Sequence, residues 1–107
     1  MRWSKRGAMV PTTLLDAASL HYSIKPICAC GNSARFESHG LWWHFERRGW
    51  DDRLIEARLR FWCRICRSKD RQKVRPRALE VVPWQAGDIE LPWPDERVWK
   101  RAMARVR

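Results

Sequence analysis

Four cysteines in two close pairs constrain this chain more than any other feature. In "CACG" Cys28 and Cys30 enclose one residue and Gly31 follows directly; in "CRIC" Cys63 and Cys66 enclose two. The 32 residues between Cys30 and Cys63 form an insertion that has to return the chain to the first pair if the four thiols are to meet. A fold that satisfies the sequence must therefore bring two tight turns from distant segments together.

The length makes such a junction valuable. At 107 residues the chain sits in the range of one domain, and 45% hydrophobic residues with eight tryptophans exclude a fully disordered protein. Domains of this size bury a modest fraction of their surface and often lean on a metal, disulfides or a partner. The N-terminal "MRWSKRGAMVPTTLLDAASLHYS" lacks the uninterrupted apolar core of about 7 to 15 residues that a signal peptide needs. No stretch approaches the roughly 20 apolar residues of a membrane-spanning helix. The chain is accordingly read as cytoplasmic, with no membrane role, its thiols in a reducing compartment where close cysteine pairs bind metal or do redox work more often than they form structural disulfides.

Organisation along the chain follows from pattern and punctuation. Residues 1–11 are basic and end in Pro11, reading as a loose N-terminal arm. "TTLLDAASL" offers Thr12 or Thr13 as N-cap and Leu14, Leu15 and Ala18 as an apolar helical face. "HYSIKPIC" alternates weakly, and Pro26 predicts an edge strand leading into the first pair. "SARFES" fits a returning hairpin strand. Across the insert at 40–57, "GLWWHFERRGW" spaces Leu41, Trp42 and Phe45 helically before Gly49, a C′ glycine, and Asp51 or Asp52 suits the start of a second short helix over "DRLIEAR". "RLRFWC" alternates Leu59, Phe61 and Cys63 against arginine and tryptophan, predicting a strand that delivers the second pair. A basic turn then leads to a strand near Leu79 to Val82. Residues 83–94, with three prolines and a glycine, read as a linker or extended strap anchored by Trp84 and Trp93. At 95–107 Asp95 caps a basic helix with Val98, Trp99, Ala102, Met103 and Val106 on one face.

With each pair at a strand end, Cys28, Cys30, Cys63 and Cys66 could close a tetrahedron on Zn²⁺, whose Zn–S bonds are about 2.3 Å. Disulfides, free core cysteines and a redox pair are the competing readings. His39 and His44, five residues apart, would diverge by about 140° on one helix and so do not converge on an ion; with His21 they read as surface or partly buried histidines. Four thiolates leave no open coordination position, so the metal would be structural. No phosphate-cradling glycine loop, nucleophile elbow or spaced acid pair is present, and the chain reads as a non-enzyme.

The order of "TTLLDAASL", "CACGNSARF", "ARLRFWCRIC" and "RALEVV" resembles the short zinc-ribbon proteins of unknown function found in alphaproteobacteria, over about residues 12 to 82. The resemblance implies a small α+β zinc ribbon, short antiparallel strands with two Cys knuckles, with a helical insertion and flanking helices. It also implies Cys28, Cys30, Cys63 and Cys66 as metal ligands.

Charge then suggests what such a module binds. Of a net +10, the window Arg64, Arg67, Lys69, Arg71, Lys73, Arg75 and Arg77 against Asp70 alone carries +6. The arm adds Arg2, Lys5 and Arg6. A basic loop beside a fixed turn suits phosphate contacts, because neutralising a nucleic-acid backbone releases condensed counterions, and exposed tryptophans can stack on unpaired bases. The other reading is a protein-interaction adaptor using Trp84, Trp93 and Trp99 around a purely structural zinc.

Overall fold

A computed structural model describes residues 2–3 and 9–106, with side chains from Val10 onward. Lys5 and Arg6 of the expected arm, and Arg107, lie outside the described residues. Where the arm is described it is paired: β1 (Arg2–Trp3) runs antiparallel to β2 (Met9–Val10).

The first helix forms where its cap predicts. α1 (Leu14–Ser19) starts at Thr13, whose side chain accepts the Asp16 amide at 3.0 Å. Its first turn has further acceptors in the distant Asp52, whose carbonyl takes Leu14 N and whose carboxylate takes Leu15 N at 3.3 Å. Asp52 thus serves α1 and not the helix that follows it in sequence, and burial raises its carboxyl above the ordinary range.

β3 (Tyr22–Ile27) enters the sheet next, and it is the central strand. It lies between β4 (Phe36–Glu37) and β5 (Ala78–Pro83), antiparallel to both, in the order β4-β3-β5. The expected edge position is therefore corrected. Pro26 is tolerated because the ladder with β4 ends at Ile24 opposite Phe36. Beyond it Ile27 bridges Ser33, and the Pro26 carbonyl accepts Ala34 N at 3.3 Å on that side, so the missing Pro26 N–H is not called on.

α2 (Ser38–Arg48) follows β4 without a loop. The buried Glu37 carboxylate caps it, accepting His39 N at 2.7 Å and Gly40 N at 3.0 Å, while Ser38 Oγ donates to the Tyr22 carbonyl. It ends at Gly49, whose φ of 65° is the left-handed conformation of a C-terminal glycine cap. α3 (Leu54–Ala57) is a single turn that tightens into a 3₁₀ turn at Arg58–Arg60. The strand expected from "RLRFWC" is thus absent. The sheet ends at β4 and β5, and this segment joins the outer edge of neither, running instead from the 3₁₀ turn into the N-cap of α4. The chain reaches the second pair as an extended loop that opens α4 (Arg64–Asp70).

The core lies where α1, α2 and α5 (Glu96–Val106) pack together over one face of the sheet. Leu14, Ala17, Ile24, Leu41, Trp42, Phe45, Ala57 and Ala102 are buried there, with Trp99 packed against them and edge-on to Trp42 at 5.7 Å. α5 is capped as expected, Asp95 Oδ1 accepting Arg97 N at 2.8 Å. Residues 84–95 are a strap and not a free linker. Ile89 bridges Phe36 in parallel, its amide donating to the Arg35 carbonyl and its carbonyl accepting Glu37 N, both at 2.8 Å. Further on, the strap crosses α2 at Gly40 so closely that an added Cβ would lie 2.8 Å from the Leu91 carbonyl carbon.

Candidate metal centre

Two different pieces of backbone present the four thiols. The first pair sits in a tight loop after β3, closed by Gly31 N donating to the Cys28 carbonyl and Cys28 N to the Asn32 carbonyl, both at 2.9 Å. Gly31 is required for its φ of 94°, which side chains rarely adopt; an added Cβ would meet nothing within 4 Å, so crowding is not the reason. The second pair is not at a strand end, contrary to expectation. Cys63 is the N-cap of α4, and its Sγ accepts the Cys66 amide at 3.5 Å, so the helix turn itself sets the spacing of the two sulfurs. Cys63 N also donates to the Val74 carbonyl at 3.0 Å, tying the start of α4 to the segment that follows it.

The sulfurs converge. Cys28 Sγ lies 3.6 Å from Cys66 Sγ and Cys30 Sγ 3.6 Å from Cys63 Sγ, and all four lie within 4.8 Å of one another. A tetrahedron with metal–sulfur bonds of 2.3 Å has edges of about 3.8 Å, so the spacing fits one ion held by four thiolates. Each close contact links one cysteine of the first pair to one of the second. The cluster therefore bridges the sheet to α4. Cys28 and Cys63 are buried, Cys66 is half-buried and Cys30 is exposed.

The sulfurs are unequal as acids. The Cys66 amide, with Asn32 Nδ2 at 3.5 Å adding to it, draws the Cys63 thiol down to about 6. Cys66 is pushed up to about 12, chiefly through its side-chain hydrogen bond with Cys28. A thiolate at Cys63 is a ready nucleus for a divalent cation. Asn32 is a site residue that sequence reasoning missed, and its place directly behind the Cys-Gly turn was the available signal.

The histidines stand apart. Among the described residues the only cluster of metal-ligating groups is the four cysteines. His39, expected to be at the surface or partly buried, is buried, its Nδ1 2.5 Å from Glu37 Oε1 and its ring stacked on Trp93 at 4.4 Å. The carboxylate that caps α2 also supplies the polar partner that lets the imidazole be buried.

The seven basic residues of the expected contact surface are all exposed. Arg64, Arg67 and Lys69 stand on α4. Arg71 ends it at φ 55°, and Lys73, Arg75 and Arg77 line the return to β5. Among the described residues none of the seven is in an ion pair. Arg67 donates to the Arg71 carbonyl at 2.7 Å, and Lys73 Nζ lies 5.8 Å from the Trp62 ring centre. Trp84 and Trp93 are 51% and 53% exposed, whereas Trp99 is half-buried against Trp42 and His39. Among the described residues no helix is long and apolar enough to cross a membrane.

Fold and site together define a small α+β protein, a three-stranded antiparallel sheet with helices, built beside a four-cysteine cluster able to hold a metal ion. Models of known protein families, curated proteins and solved structures give no match to this chain.

Proposed function

We propose that the protein is a zinc-stabilised binding module, related to the zinc ribbons, that engages the phosphate backbone of nucleic acid through the basic surface following its second cysteine pair. Zinc is the ion best suited to four thiolates in a closed tetrahedron whose purpose is shape, since it needs no open position and undergoes no redox change. Cys28, Cys30, Cys63 and Cys66 hold it, and the ion supplies a rigid junction between sheet and α4. The reading rests on one observation: seven exposed cations without ion-pair partners among the described residues stand on and just after the helix that the cysteines fix. A prefixed backbone lowers the ordering cost of binding, and unpaired cations are free to displace counterions.

Elemental analysis of protein purified from cells should show zinc, with co-purified nucleic acid read by its ultraviolet absorbance. About four phosphate contacts predict a fall of log K against log salt with a slope near −3.6 on duplex DNA, or about −2.8 on a single strand, and replacing Lys69 and Arg71 by alanine should flatten it by about two contacts for every sequence alike, with zinc content unchanged. The half-exposed Trp84 and Trp93 favour a second reading, a protein-interaction adaptor. A complex that ignores both salt and these substitutions would decide for the adaptor.

A further inference from the structure

Beside the cysteine cluster a cleft of about 500 Å³ opens between the β3–β4 turn and the start of α4. Its size lies within the roughly 300 to 1,000 Å³ of small-ligand sites. Its walls are unusual for the outside of so basic a protein. Phe36 and Phe61, ring centres 5.6 Å apart, form the floor with Trp62 and Ile65, and the polar contribution comes from Asn32, Ser33 and Arg64. Trp62 is 44% exposed and Ile65 45%, so both remain uncovered in the folded chain.

We propose that this cleft receives an unpaired nucleobase, and that the nucleic acid bound is single-stranded; this deepens the nucleic-acid reading above and rests on it. A base is flat and aromatic with a polar edge. The cleft offers aromatic surface, and within it Asn32 commits its Nδ2 to Cys63 Sγ, leaving Oδ1 as an acceptor for that edge. A base needs its own phosphate accommodated a few ångströms away. Arg64 lines the cleft, and Lys73 Nζ rests over the Trp62 ring at 5.8 Å, so a base stacked at Trp62 brings its backbone to two cations. Charge decides against an apolar peptide side chain as occupant: in the segment from Arg64 to Arg77 seven cations face a single carboxylate, Asp70. Bases in a duplex are already stacked and paired, so the cleft selects single strands.

Fluorescence anisotropy at fixed salt, with a labelled short oligothymidylate, an abasic deoxyribose-phosphate strand of the same length and a duplex, separates the parts. Stacking of one base is expected to make the oligothymidylate bind roughly 5- to 150-fold more tightly than the abasic strand. Trp62→Ala should remove that ratio and leave abasic-strand binding unchanged, and Trp62→Phe should restore most of it. Metal content and melting temperature, measured on both variants, report that the fold is intact. Lys69→Ala with Arg71→Ala should weaken all strands equally and preserve the ratio. Salt-dependent binding with equal affinity for the oligothymidylate and abasic strands, or a preference for duplex, would overturn the cleft assignment while leaving the basic surface standing. No binding by any of the three probes would overturn both and assign the cleft to a protein partner.

Discussion

Two halves of this molecule reach order by different means. Around α1, α2, β3 and α5 the side chains of Leu14, Ile24, Leu41, Trp42 and Phe45 are at most 2% exposed, and hydrophobic burial suffices to hold the packing. From Arg58 to Arg77 only Cys63 and Pro76 are buried, while Leu59, Trp62 and Ile65 are left in solvent. Few bonds link that lobe to the rest. Arg77 N donates to the Ile27 carbonyl at 2.8 Å, and Asn32 Nδ2 to Cys63 Sγ at 3.5 Å. A segment that buries so little cannot offset its own conformational entropy, so the four sulfurs must supply what the absent core does not. The lobe with the weakest packing is also the one that carries the densest charge, which a metal held by the four sulfurs would permit because such a junction does not depend on apolar area.

The largest effect should come from removing that junction. Structural zinc sites contribute apparent binding free energies of about 10 to 16 kcal/mol in small zinc peptides. Chelation, or Cys63→Ser, is expected to abolish amide protection over residues 58–77 while α2 retains its own, read by hydrogen exchange. Loss of protection in α2 as well would mean the two halves fold as one cooperative unit. Unchanged protection in both would remove the metal from the account of stability.

Next in size is the converse experiment on the apolar half. Trp42 is 1% exposed and packs against Trp43 and Trp99. Trp42→Ala should cost about 3 to 5 kcal/mol, a large share of the roughly 5 to 15 kcal/mol typical of a small domain. The urea midpoint should fall accordingly, with one metal per folded molecule kept. A smaller effect would show that the core tolerates a cavity and that the comparison overstates its packing.

A third test acts where the strap meets the core. Gly40→Ala places a methyl against the Leu91 carbonyl, a backbone group that cannot rotate away, and overpacking of this kind costs about 1 to 3 kcal/mol. Because the strap carries Trp93 onto His39, the variant should also change the tryptophan emission of the folded state. A neutral substitution would mean that the strap lifts freely.

The apolar half was the more legible in sequence. Thr13, Gly49 and Asp95 cap helices where they were expected to, and the apolar face of α5 turns to the core through the buried Ala102 and the half-buried Val98 and Trp99, because capping and periodicity are local properties. The four cysteines were legible too, since thiols this close have few uses. What failed was long-range. Nothing local in "RLRFWC" reveals that a 3₁₀ turn and the start of α4 take the place of a strand, nor does Pro26 announce that its short neighbour β4 makes a central position harmless. That Asp52 would serve α1 and Glu37 would pair with His39 likewise depends on which segments meet, so neither is written in spacing.

The smallest effect tests the bond that fastens the strap to the sheet. Asp88 is 3% exposed at its side chain and accepts Arg35 Nε at 2.8 Å, Ser23 Oγ at 2.6 Å and Gln85 N at 2.9 Å, joining strap, β3 and the approach to β4. The Arg35 guanidinium first, then the Ser23 hydroxyl and the Gln85 amide, hold its carboxyl down from the ordinary 3.8 to about 2. A carboxyl depressed by folding contributes stability that is present above its unfolded value and is lost as pH falls toward the folded one. The contribution of Asp88 should thus be intact at neutral pH and fade between about pH 4 and pH 2. Acid would also release a metal held by the thiolates, but it would do so in wild type and Asp88→Asn alike. The difference between their urea midpoints isolates the one carboxylate. That difference should stay level from neutral pH down to about 4 and shrink below it. A gap that keeps its size through pH 2 would show that Asp88 holds the strap through hydrogen-bond geometry an asparagine cannot copy, with its charge playing no part.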